Sequence, residues 1–247
     1  MQARLRLALI GIITVGVVGS AVLVEPTPTT PKRVAKSSGR LLGAQTFNGP
    51  EFKRLFNNLA LPSLTPIIDS PFITGHDGLD AGIQRLAASR GYRLWAVPSG
   101  NLEPIDGVEL QLPAAVSWRR LKAAAAKENV ALKIEYGYRS VDEQRALFLG
   151  TLRQLGNDLG SAGSVLKRVA PPGYSRHHTG YVVDLSDASQ PFTPFLKTKG
   201  YNWLAANNFA NAKRFGFIPS YPEGAASQGP EPEPWEFAWV GVAVLTE

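Results

Sequence analysis

Cysteine is absent from the 247-residue chain. That absence removes disulfides, thiolate metal ligands and a cysteine nucleophile together. Histidine is scarce, with three residues, so any metal must lean on Asp and Glu as well. A strong charge of one sign is also missing: the net charge is +6. Part of that surplus sits at Arg4, Arg6, Lys32, Arg33, Lys36 and Arg40, and no dense Lys/Arg stripe follows. This pattern speaks against a nucleic-acid partner. There are no internal repeats and no clean βαβ rhythm, which disfavours a doubly wound sheet. What remains, 44% apolar and 19% charged residues, describes an ordinary globular protein rather than a disordered one.

The N-terminus speaks to compartment. Two arginines precede an apolar run over residues 7–24, broken only by Gly, Ser and Thr. The run is as long as a short membrane span and has no polar side, so a buried core helix is a poor reading. Basic residues ahead of it keep the N-terminus in the cytoplasm and export the rest. Small residues at Gly19, Ser20 and Ala21 offer a signal-peptidase site, but Val22, Leu23 and Val24 continue the run and favour an uncleaved anchor. Residues 1–24 are therefore expected to be a signal-anchor or signal peptide. The body is expected in the cell envelope, anchored to the membrane or, if the leader is cleaved, secreted or periplasmic. Residues 25–40 are rich in Pro, Thr, Ser and basic residues and read as a tether. Residues 41–70 carry mixed signals, with a short helix around 51–59, and fall within a linker and unassigned stretch of 25–75.

The folded body is expected over residues 76–247. Apolar spacing at Leu79, Ile83, Leu86 and Ala87 predicts a helix over 77–90, stopped by Gly91. A second helix is expected over 117–128 with Ser117 as its cap. A strand fits 132–136. Ser140 and Glu143 then form a capping box for a helix reaching about residue 155. Residues 180–185 read as a strand with Val182 and Asp184 on one face and Tyr181, Val183 and Leu185 on the other. A helix over 202–214 stopped by Gly216 and a strand over 236–244 complete a mixed α+β domain. The expected architecture is a single compact domain with a small, mainly antiparallel sheet flanked by helices.

Three segments carry chemistry. Ser175, His177, Gly180 and Asp184 fall in the pattern S-x-H-x-x-G-x-x-x-D, and E-P-W-E occupies residues 233–236. G-Y-R-S at 137–140 is followed by Gln144, five residues after Arg139. Taken singly, each residue has an ordinary structural explanation: a strand-end carboxylate, a core histidine, an acidic loop. Together, and in this order, they resemble the VanY-like zinc D-alanyl-D-alanine carboxypeptidases, whose relatives include L,D-carboxypeptidases and D-Ala-D-Ala dipeptidases.

The resemblance implies that His177 and Asp184 ligate zinc and that Glu233 is the general base. It implies that Arg139 stabilises the oxyanion or holds substrate, that Gln144 and Ser175 position the peptide end, and that Trp235 supports the site. The implied partner is a peptidoglycan stem peptide; a monomer is expected.

One position departs from the pattern. The family's third ligand is the His of E-P-W-H, and here Glu236 stands in its place. Neither His178, taken to point away from His177 along an extended segment, nor His76 is expected to substitute. Glu is a competent zinc ligand, but a His/Asp/Glu set is harder and more anionic, favouring oxygen-loving metals such that another divalent ion can compete. Glu236 as a working ligand, a weakly held metal, and a catalytically impaired wall-peptide-binding module all remain open. D,D and L,D specificity are not distinguished by these motifs.

Overall fold

Alternating apolar residues organise the centre of the protein. In the computed structural model, which describes residues 47–245, the chain begins with α1 (Gly49–Asn58), β1 (Leu64–Pro66), α2 (Asp77–Ser89) and β2 (Ala96–Pro98). A hairpin of β3 (Glu103–Ile105) and β4 (Val108–Leu110) precedes α3 (Leu112–Lys127) and β5 (Leu132–Tyr136). Next come α4 (Val141–Leu155), α5 (Leu159–Val165) and β6 (Val182–Asp187). The chain closes with α6 (Lys199–Lys213), β7 (Phe217–Tyr221) and β8 (Glu233–Trp239). The main sheet has the order β5-β6-β8-β7 with every pair antiparallel, and β1-β2 and β3-β4 form two small antiparallel pairs.

Period-two alternation divides the sheet's faces. Val183, Leu185, Phe217 and Phe237 bury against Trp118 and Leu121 of α3 and Leu204 of α6. Val182, Ile218 and Ala238 face the other way and pack with Phe52 and Phe56 of α1. A separate apolar cluster joins Ile83, Phe148, Leu152 and Val165 from α2, α4 and α5. Asp184 and Glu236 have the parity of Val182 and Ala238, so they lie on the α1 face, further along their strands.

The α+β class with small antiparallel sheets is as expected, and several boundaries move. Residues 47–75, expected as the end of a linker and an unassigned stretch, carry α1 and β1, with Phe52 and Phe56 buried. The α3 helix begins at Leu112 rather than 117, because Pro113 suits a first turn where its missing N–H costs nothing. Ser117 is therefore mid-helix, and its hydroxyl accepts a hydrogen bond from Trp239 Nε1 at 2.9 Å. The Ser140–Glu143 capping box is present, with both reciprocal bonds made. The last strand starts at Glu233, three residues earlier than expected, so the E-P-W-E motif is strand and not loop. Among the described residues no helix is long and apolar enough to cross a membrane. The expected span over 1–24 lies outside the described residues, as does the tether over 25–40.

Candidate metal centre

The site grows from one tight turn and two strands. Ser175 caps a 3-10 turn, Arg176–Thr179, its hydroxyl accepting from the His177 N–H at 3.3 Å. Gly180 ends the turn at φ 70°, a left-handed conformation that side chains resist. His177 is buried, and its Nδ1 lies 2.6 Å from the Gly137 carbonyl oxygen. That contact fixes Nδ1 as the protonated nitrogen of the neutral ring and leaves Nε2 free to ligate.

Nε2 faces two carboxylates. It lies 3.3 Å from Asp184 Oδ1 and 3.4 Å from Glu236 Oε2. One ligand atom from each of the three residues lies within 4.8 Å of the others. Tetrahedral zinc with bonds near 2.0 Å separates its ligand atoms by about 3.3 Å. Asp184 Oδ1 and Glu236 Oε1 are moreover buried without a hydrogen-bond partner. Such orphaned anionic oxygens are costly unless a cation meets them. The residues present fit a divalent metal.

Glu233 joins them through an irregularity. Regular alternation would send Glu233 and Glu236 to opposite faces. Between the pairs Pro219–Phe237 and Tyr221–Glu233, however, β8 advances four residues while β7 advances two. The strand is irregular here, and Glu233 lines the same cleft as Glu236. Burial, then the charges of Glu236 and Asp184, push the Glu233 carboxyl well above its ordinary range, with His177 opposing. For Glu236, burial is outweighed by the His177 contact, the Ser220 hydroxyl and the Arg176 charge, which together lower its pKa. Burial disfavours charge on His177 too, but Asp184 and Glu236 prevail and raise it to about 10 in the metal-free protein.

The other expected residues lie around this centre. Arg139, Gln144, Ser175 and Trp235 line the same cleft as His177, Asp184, Glu233 and Glu236. Arg139 Nη1 donates to Gln144 Oε1 at 3.0 Å, while Gln144 Nε2 donates to the Ala170 carbonyl at 2.6 Å. Both ends of the Gln144 amide are thus engaged by the protein. Trp235 is 41% exposed, at the rim.

His178 is no ligand, though not for the expected reason. It sits in the 3-10 turn rather than an extended segment, fully buried. Its Nδ1 lies 2.7 Å from the Arg139 carbonyl, and its Nε2 accepts from Gly173 N–H at 3.0 Å. Burial lowers its pKa to about 4, which suits a neutral clamp between the two segments. His76 is exposed at the start of α2. Arg168 and Tyr221 also line the cleft and were not singled out from sequence. No local pattern marks them, because they reach the site from separate elements.

The VanY family model, described as D-alanyl-D-alanine carboxypeptidase, matches residues 107–242. The protein YodJ of Bacillus subtilis (strain 168), to which a carboxypeptidase role is ascribed, is 31% identical over 168 residues. That alignment covers 60% of this chain and 57% of YodJ, so the chain spans little more than half of that relative's length. Among solved structures, VanYB in complex with D-Alanine-D-Alanine is 26% identical with a TM-score of 0.50, covering 59% of this chain and 80% of that one. A zinc complex of a mutant of VanY, a vancomycin-resistance D,D-pentapeptidase from a VanB-type cassette, is 25% identical with a TM-score of 0.51. It covers 60% of this chain and 84% of the other. The family match takes in every residue of the metal-binding group and extends over more than half of the sequence; the chain belongs to the VanY D-alanyl-D-alanine carboxypeptidase family.

Proposed function

We propose that the chain is a metal-dependent D,D-carboxypeptidase of the cell envelope, removing the terminal D-Ala of peptidoglycan stem peptides. The observation that carries this reading is the spacing of His177 Nε2, Asp184 Oδ1 and Glu236 Oε2 at tetrahedral-edge distances, beside a fourth carboxyl. The VanYB complex with D-Alanine-D-Alanine supports the substrate class. The apolar run over residues 7–24 supports the compartment.

His177, Asp184 and Glu236 would hold the cation, zinc by likeness to the VanY zinc complex. Bound there, a divalent ion supplies Lewis acidity, easing water ionisation and polarising the scissile carbonyl. Glu233 takes a proton from the attacking water onto a carboxylate oxygen. As the C–N bond breaks, it returns that proton to the nitrogen of the departing D-alanine. Arg139 pairs with the terminal carboxylate that defines a carboxypeptidase substrate. Gln144 holds the guanidinium in place, and so acts through Arg139. Ser175 sets the turn that delivers His177, and Trp235 closes one wall of the cleft.

The test uses the purified full-length chain with zinc, offered a pentapeptide ending in D-Ala-D-Ala and the corresponding tetrapeptide. Free D-Ala should appear from the pentapeptide and cease with chelator. Release from the tetrapeptide alone would overturn D,D specificity in favour of L,D. Peptide binding without release from either would overturn the enzyme reading in favour of a wall-binding module.

A further inference from the structure

Arg176 stands between Ser175 and His177 in the motif, outside the metal-binding group. Its side chain is 2% exposed. Among the described residues it makes no ion pair within 4.0 Å. The guanidinium instead lies 4.0 Å from the Tyr221 ring centroid, 4.6 Å from Phe56 and 5.4 Å from Trp95. Its Nη1 donates to the carbonyl oxygen of Ser220 and to the Ser220 hydroxyl, the latter at 3.1 Å, while Nε has no partner. Ser220 follows Pro219 on β7, and Pro219 pairs with Phe237, the residue next to Glu236 on β8. Ser220 therefore stands between the buried cation and the unusual third ligand.

Aromatic faces offset only part of the cost of burying a guanidinium, so a nearby anion is needed. Charge counting identifies it. A divalent cation bound beside Glu233 favours its ionised form, so Asp184, Glu233 and Glu236 then carry three negative charges, of which the cation neutralises two. Arg176 neutralises the third. Arg139, half-buried at the cleft, is left for the substrate's carboxylate. With His at position 236 the same buried set would hold a surplus positive charge next to the metal.

We infer that Arg176, acting through the Ser220 hydroxyl, is the positioning counter-ion that adapts this centre to a carboxylate third ligand. The inference rests on the reading of Glu236 as a ligand. Arg176 orients the Glu236 carboxylate and balances its charge, and a neutral imidazole at 236 would leave it uncompensated.

A double-mutant cycle tests this on the full-length chain, with zinc dissociation constants measured by competition against a chromophoric chelator. The variants are Arg176→Gln, Glu236→His and the two combined. With Glu236 present, Arg176→Gln should weaken zinc binding by about tenfold, as loss of support to a ligand does. With His at 236, the same change should strengthen it, leaving the two effects at least about tenfold apart. Equal effects in the two backgrounds overturn the inference. Ser220→Ala keeps both charges and removes only the bridge. It should shift the visible bands of the cobalt(II)-loaded protein, and it carries the same two-background comparison if Arg176→Gln does not fold. An unchanged cobalt spectrum overturns the route through Ser220. If Glu236→Gln leaves zinc binding unaltered, the ligand reading itself has failed, an outcome distinct from simple additivity.

Discussion

Asp184 on β6 and Glu236 on β8 are direct cross-strand partners, so two carboxylates stand opposite one another on one face of the sheet. Like charges in that relationship destabilise an antiparallel pair. Here they are buried or nearly so, and His177 Nε2 sits within 3.4 Å of both. The repulsion becomes useful once a cation lies between them.

Glu233→Gln should separate proton transfer from metal binding. The amide keeps the shape of the side chain but cannot accept the water's proton. Turnover is expected to fall by about 10²–10⁴-fold, with bound zinc unchanged by metal analysis. In the parent protein the rate should climb with pH as Glu233 ionises, since only the ionised form is a base. Full turnover in the variant would remove Glu233 from this role.

Zinc binding should release protons. Without metal, His177 titrates at about 10 against an ordinary 6.5. A raised folded-state pKa means that its contribution to stability is fully present below about 6.5 and is lost as pH rises through about 10. Unfolding of the metal-free protein followed across that window should show the loss. A ligating imidazole must be neutral, so loading zinc near pH 8 should expel about one proton from His177, and apparent affinity should rise with pH. Calorimetry in buffers of different ionisation enthalpy measures the release; binding that is independent of buffer and pH would contradict it.

Arg139→Ala should act on recognition of the chain end. Losing one charge-assisted contact should lower kcat/KM by about tenfold to a hundredfold on a stem peptide with a free C-terminus. On a C-terminally amidated peptide, a poor substrate for both, parent and variant should differ little. An equal loss on the two substrates would instead place Arg139 at the oxyanion.

Much of the fold could be read locally. The α4 capping box depends on contacts three residues apart, and the β6 alternation depends on a period of two, so Ser140, Glu143, Val182 and Asp184 fell where expected. The start of α3 did not, because Pro113 at a first turn leaves weaker marks than a side-chain cap. The 3-10 geometry around His178 was likewise missed: its hydrogen bonds to Gly173 and Arg139 involve separate parts of the chain, and no local pattern encodes them.

By itself, the order of residues determined the family, the identity of His177, Asp184, Glu233 and Arg139 as a group, and the exchange of His for Glu at 236. Those depend only on residue type and spacing. Tertiary structure alone decided that Glu233 shares the cleft with Glu236, at an irregular stretch of β8 where simple alternation would part them. It alone brought Ser220 between Arg176 and Glu236. Contacts made across a sheet depend on register, and register is set by how strands pair rather than by what any one strand contains.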